Sequence, residues 1–116
     1  MEPRHCLQIR LYLGMFKYEE TGGTLRCFFP GELNSDICGQ IEPQLADLVA
    51  IQLKKNPELK LVFDLEGASY ICSAFLRLCL YHCKFVGTRK FSVVNTSDEI
   101  RKVFTIAGFT EMMNIT

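Results

Sequence analysis

Apolar and polar positions alternate near the start of the chain, where Gln8, Arg10 and Tyr12 separate Leu7, Ile9, Leu11 and Leu13. That period of two predicts a half-buried β-strand. Gly14 interrupts it, and Met15 to Glu19 reads as a second short strand. Thr21-Gly22-Gly23 carries turn chemistry and Thr24 to Phe29 returns to strand character, so a hairpin is expected, closed by Pro30-Gly31. Beyond a polar loop over residues 34–39 the period lengthens. Leu45, Leu48, Val49 and Leu53 lie at helical spacing, with Pro43 near the expected helix start and Asn56-Pro57 at its end. Leu59 to Leu65 is a short apolar run, the pattern of a strand covered on both faces.

Ser73 to Val86 predicts a second helix stopped by Gly87, and Phe91 to Val94 another buried strand. Thr96 with Glu99 three residues later reads as a capping box. Behind it Ile100, Val103, Phe104 and Ala107 form an inward stripe, and Gly108 stops the helix. The tail from Phe109 to Ile115 is expected to pack back as a closing segment. Strands and helices thus alternate from Thr24 onward. The order predicts an α/β domain with a mixed, mainly parallel sheet flanked by helices and an additional N-terminal strand. Partners of such sheets bind beyond the carboxyl ends of the strands, here Gly31 to Asn34, Asp64 to Ser73 and Asn95 to Ser97.

Composition narrows the function. The 116 residues suit one domain, and 13 basic residues against 13 acidic ones leave no basic face for nucleic acid. No apolar run approaches the length of a membrane span, so no direct membrane insertion is expected. Gln8 and Arg10 interrupt the only candidate signal-peptide core. Six cysteines (6, 27, 38, 72, 79 and 83) fall mostly in apolar runs, where reduced thiols pack as small hydrophobes in a cytoplasmic protein.

The stretch Leu61-Val62-Phe63-Asp64-Leu65-Glu66-Gly67-Ala68-Ser69-Tyr70-Ile71-Cys72-Ser73 resembles the central signature of STAS domains, the family of bacterial anti-sigma-factor antagonists. Gly31-Glu32-Leu33-Asn34 is similar to the family's Gly-x-Leu-Asp, and Ile100 through Gly108-Phe109, closing on Met112 and Ile115, to its last helix and tail. The match covers residues 15–116 as a STAS-like domain and leaves 1–14 as an N-terminal extension.

The resemblance implies a cytoplasmic regulatory module and not an enzyme, with no cofactor. Its expected partner is an anti-sigma factor that is also a serine kinase, and the residue matching the family's phosphorylated serine is Ser73. The chain departs from the family pattern there: it reads Cys72-Ser73-Ala74-Phe75-Leu76 in place of Asp-Ser-Ser/Thr-Gly-Leu, and Asn34 replaces the loop aspartate. A constitutive scaffold, such as the cytoplasmic subunit of a lipid-transporting ABC system, is the alternative that these departures suit. A thiol-based enzyme or redox sensor at Cys72 is a third reading.

The helix after Ser73 is apolar on two sides. Leu76, Cys79, Leu80 and Cys83 are assigned to the sheet, which leaves Phe75, Leu78, His82 and Phe85 as an outer stripe. The expected partner surface is therefore Asn34, Cys72, Ser73, Ala74, Phe75, Leu78 and His82. With His82 turned outward, Cys79 and Cys83 gain no third metal ligand. His82 also lies almost three turns from Cys72, too far to act as its base. The four aliphatic residues of 7–13 are expected to pair along a sheet edge, in their own chain or in a homodimer.

Overall fold

The computed structural model describes residues 9–12 and 16–116, the first group by backbone alone. The elements run β1 (Ile9–Tyr12), β2 (Phe16–Thr21), β3 (Thr24–Phe28), β4 (Gly31–Leu33), α1 (Ser35–Lys55), β5 (Lys60–Asp64), β6 (Ala68–Ile71) and α2 (Ser73–Val86). They continue with β7 (Phe91–Val94), α3 (Asp98–Ile106) and β8 (Asn114–Ile115). A six-stranded sheet has the order β1-β2-β3-β5-β7-β8, and β4 and β6 form a separate two-stranded sheet. The first two pairings are antiparallel, and β3–β5, β5–β7, β7–β8 and β4–β6 are parallel. This is the mixed, mainly parallel α/β sheet expected. The N-terminal strand pairs with β2 of its own chain, Ile9 opposite Glu19. Leu7 and Leu13 lie outside the described residues.

Hairpin β2–β3 closes through Gly22 and Gly23 at φ of 58° and 85°, with Thr21 opposite Thr24. Two consecutive positive φ angles match the strand twist of a two-residue turn, and glycine adopts them without a Cβ clash. Along β3, β5 and β7 burial alternates. Leu25, Cys27, Leu61, Phe63, Phe91 and Val93 are buried, while Arg26, Val62 and Ser92 on the other face stay half-exposed. The strand at 60–64 is thus fully covered on one face only, a correction to the expectation of two.

Two helix starts also differ from expectation. Helix α1 begins at Ser35, so Pro43 lies inside it and not near its first turn. Asn34 Oδ1 accepts the Ile37 N–H at 3.0 Å, and Cys38 and Ile41 extend the buried stripe of Leu45, Leu48 and Val49 backwards. That cap and burial offset the one hydrogen bond Pro43 removes. Helix α3 is capped by Ser97, whose Oγ accepts the Ile100 N–H at 3.2 Å, while the Thr96 hydroxyl donates to Thr116 O at the closing strand. Only Ile100 and Phe104 of its expected stripe are buried; Val103 and Ala107 are exposed.

The largest correction concerns α2, whose inward face is turned by one residue from the expected one. Phe75, Leu78, Cys79, His82, Cys83 and Val86 are buried, and Leu76 and Leu80 are half-buried flanks. Phe75 is 0% exposed and meets Phe29 and Phe63 at ring-centroid distances of 5.5 and 6.1 Å. His82 is 1% exposed and edge-on to Phe63 at 5.9 Å. Phe63 also contacts Phe29 and Phe91, both at 5.0 Å, so it lies at the centre of an aromatic core. The Phe75 ring packs against both Phe29 and Phe63, while Leu76, one position on, stays half-buried at the flank. Of the expected outer stripe only Phe85 is exposed. Phe75→Ala is therefore expected to cost about 3–5 kcal/mol, the range for a truncated core aromatic. Urea denaturation measures it, and a loss under about 1 kcal/mol, the range of surface substitutions, would contradict the packing.

Burial gives His82 an unusual titration. Neither ring nitrogen has a hydrogen-bond partner, and burial pushes its pKa down to about 4. The folded protein holds the ring neutral, whereas the unfolded chain protonates near the ordinary 6.5. Its contribution is thus fully present above about pH 6.5 and lost as pH falls toward 4, on the order of 3 kcal/mol in all. His82→Leu is expected to abolish that slope in unfolding free energy measured between pH 7 and 5. Equal slopes in the two proteins would refute the assignment.

Candidate functional site

The site is built where the small sheet ends. Strands β4 and β6 run parallel with Leu33 opposite Ile71, and each is followed at once by a helix. Gly31 N–H donates to Gly67 O at 2.7 Å, and a Cβ on Gly67 would lie 3.3 Å from Pro30 Cβ, so the two connections run close together. The parallel register therefore brings the N-termini of α1 and α2 side by side, with Asn34 and Cys72 as their caps. Two helix starts offer free N–H groups and partial positive charge in one place.

Ser73 is the first residue of α2 and is exposed. It does not cap its helix; Cys72 holds that position, and its backbone carbonyl accepts the Phe75 N–H at 3.0 Å. Asn34 and Ala74 are half-exposed beside it. The structure thus gathers Asn34, Cys72, Ser73 and Ala74 on one surface. Phe75, Leu78 and His82, expected on the same surface, are in the core beneath it. His82 makes no hydrogen bond to Cys72 or to any other group. The two residues do not form a nucleophile and base.

Several neighbours escaped the sequence reading. A groove of about 590 Å³ runs between α1 and α2 from Ser35 and Ala74 past Arg77 to Tyr81 and Lys84. Arg77 lies one turn below Ser73 on the exposed side. Tyr81 and Phe85 are exposed and stacked at 5.8 Å farther along α2. Phe85 is the one member of the expected outer stripe that is exposed, whereas Tyr81, four residues before it, was not singled out.

Asp64, at the carboxyl end of β5, is almost fully buried and clamped from three sides. Arg26 Nε and Nη2 donate to Oδ2 at 3.0 and 2.7 Å, Asn95 Nδ2 reaches both oxygens at 3.1 Å, and Glu66 N–H donates to Oδ1 at 3.0 Å. Asn95 adopts a left-handed φ of 59° there. Burial opposes the charged form, but the donors from Arg26, Asn95 and Glu66 outweigh it and hold the carboxyl below its usual range. The clamp fixes the loop that leads from β5 into β6.

No family model and no curated protein sequence matches the chain. Among solved structures it is similar to the anti-sigma factor antagonist SpoIIAA in its unphosphorylated form, with a TM-score of 0.65 and 19% identity over 95% of this chain and 87% of that one. The fold is a STAS fold. A second structure, the Bacillus cell fate determinant SpoIIAA in the phosphorylated form, matches with a TM-score of 0.59 and 18% identity, covering 95% of this chain and 90% of that chain. Within the STAS fold of this chain, among the described residues, no helix is long and apolar enough to cross a membrane, and no group of three or more metal-ligating side chains converges.

Asp64→Ala would leave Arg26, Asn95 and the Glu66 N–H without their acceptor. The expected loss is about 2 kcal/mol at neutral pH, less than for a fully buried pair because Arg26 is 37% exposed. The contribution of Asp64 is complete above the ordinary carboxylate range and is lost as pH falls through its lower folded pKa. Denaturant unfolding at pH 7 and in acid checks both; a penalty that does not shrink in acid would argue against the charge.

Proposed function

We propose that the protein is a partner-binding regulator of the anti-sigma-factor-antagonist type. It docks on an anti-sigma factor with serine kinase activity through the surface around Asn34, Ser73 and Ala74. Transfer of a phosphoryl group from ATP to Ser73 Oγ then ends the docking. The observation that carries this reading is the exposed Ser73 at the start of α2, with a second helix N-terminus beside it. Support comes from the similarity to SpoIIAA, which has been solved in both unphosphorylated and phosphorylated forms. A phosphate at this position gains the N–H groups of a helix start, and Arg77 four residues on is at the spacing for a helical ion pair. It also adds nearly two negative charges to the docking face.

The carboxylate usual before such a serine is replaced by Cys72, and the loop aspartate by Asn34. The surface therefore carries less negative charge before phosphorylation, and the phosphoryl group supplies a larger fraction of the change.

Affinity capture from native extract, with the unmodified chain and with Ser73→Asp as baits, tests the proposal. The unmodified chain is expected to retain a protein that, given ATP, phosphorylates it on Ser73, as read by peptide mass spectrometry. Ser73→Asp is expected to lose at least tenfold of that retention. Equal retention by the two baits, or phosphorylation at a different residue, would overturn the reading.

A further inference from the structure

The groove of about 590 Å³ between α1 and α2 starts beside Ala74 and runs away from Ser73 along both helices. Its lining includes the buried Leu78, and its two walls differ in charge. On the α2 wall Arg77, Tyr81 and Lys84 stand at i, i+4 and i+7, all exposed. Among the described residues the ion pairs are Arg26–Asp64 and Lys90–Glu58, so Arg77 and Lys84 have no carboxylate partner there. Tyr81 is 55% exposed between them, its ring stacked on the exposed Phe85 at 5.8 Å. Across the groove the exposed Glu42 gives the α1 wall the opposite charge. The same wall holds Gly39, in the second turn of α1, where a Cβ would meet no atom within 4 Å. Glycine inside a helix costs stability relative to alanine, and neither a left-handed φ nor a close neighbour in this chain calls for it at Gly39. What the missing side chain does provide is room for another backbone to come close.

We propose that this groove receives an amphipathic helix of the partner protein, with two acidic side chains two turns apart for Arg77 and Lys84 and a basic side chain for Glu42. Seven residues of helical rise separate Arg77 from Lys84 by about 10.5 Å along the axis. One phosphate or one carboxylate cannot span that distance, whereas acidic side chains at i and i+7 of a second helix match it. Apolar side chains at i+3 and i+4 between them would cover Tyr81 and reach the floor over Leu78. Gly39 lets the incoming helix settle against α1. The unlike charges of the two walls also fix which flank of that helix faces which wall, because the reversed arrangement sets like charges together.

The inference rests on the reading that the chain docks on a partner protein, and it states what part of that partner fits the groove. It also couples the groove to Ser73. Arg77 lies four residues after Ser73, so a phosphate there would draw the guanidinium toward itself and leave Lys84 alone to hold the acidic flank.

The probe is a peptide of about 14 residues, roughly four turns, held helical by a side-chain staple. It carries glutamates at i and i+7, leucines between them and an arginine on the other flank. A second peptide exchanges the glutamates for lysines and the arginine for glutamate. Binding of each to the full-length, unphosphorylated chain is read by fluorescence anisotropy. The first peptide is expected to bind about tenfold more tightly than the second, because exposed pairs turn from attraction to repulsion. Arg77→Glu combined with Lys84→Glu should invert the preference. Gly39→Leu fills the groove and should weaken the first peptide about tenfold. Its melting temperature should stay the same or rise, since leucine is the better helix former. Equal affinities for the two peptides, no inversion in the double variant, or undiminished binding by Gly39→Leu would overturn the proposal. So would a dimer of the chain alone, seen by light scattering, that Gly39→Leu dissociates, because the groove would then belong to a second copy. No kinase and no modification of Ser73 enters the assay, so its failure would leave the Ser73 reading standing, and failure of that reading would leave the peptide result unchanged.

Discussion

The insertion of Phe75 between Phe29 and Phe63 sets the rest of the site. Phe75 is two residues past Ser73, so once its ring is locked in the core, the first turn of α2 has only one rotation available. That rotation leaves Ser73 facing water and turns Tyr81 and Phe85 outward. The anchor is stiff because it is shared: Phe63 packs against Phe29, Phe91 and His82 as well. Close-packed interiors transmit such constraints because there is little free volume to absorb a tilt. In this chain the bulky Phe75 ties the exposed serine to the centre of the core.

A second constraint acts from the opposite face of the sheet. Asp64 follows Phe63 in β5 and so points the other way, into the donors of Arg26 on β3 and Asn95 after β7. One strand end therefore carries an apolar anchor upward and a charged clamp downward. Leu65 N–H, donating to Val94 O at 3.0 Å, extends the ladder one residue past the strand. The loop that follows leaves the sheet from a fixed point and direction. That fixed departure is what lets β6, only four residues long, find β4 and bring the two helix caps together.

The order of the elements was legible because each of the longer ones has a clear period and a stop residue, as in the alternation of 7–13 or the run from Ser73 to Gly87. Strands β4 and β6 were not. They are short, and Glu32, Ser69 and Tyr70 are exposed, so no alternation marks them. Pro43 misled because proline at a helix start is the commoner arrangement, and nothing local shows that Asn34 already caps the helix. On α2 both Phe75/His82 and Leu76/Leu80 obey helical spacing. Periodicity cannot choose between two apolar faces; the ring contacts of Phe75 and His82 with Phe63 do. The Asp64 clamp draws in Arg26 and Asn95 from more than thirty positions away on either side. Each participant is ordinary in its own local sequence, and Ser73 was legible only because of the residues around it.

The small sheet has a consequence for the order in which the molecule assembles. Its ladder joins Gly31–Leu33 to Ala68–Ile71 across the whole of α1 and β5, so its loop-closure entropy is large for very few bonds. Such a pairing gains stability only after β3 and β5 have aligned and the Phe63 core has condensed, which makes it a late event in folding. By the same reasoning it opens from the native state at a cost below global unfolding. The amide protons of β4 and β6 are therefore expected to exchange with solvent sooner than those of β3, β5 and β7. The surface that presents Ser73 is thereby held together by a short ladder set apart from the main sheet, and a partner gripping both helix starts would slow its exchange without changing the core.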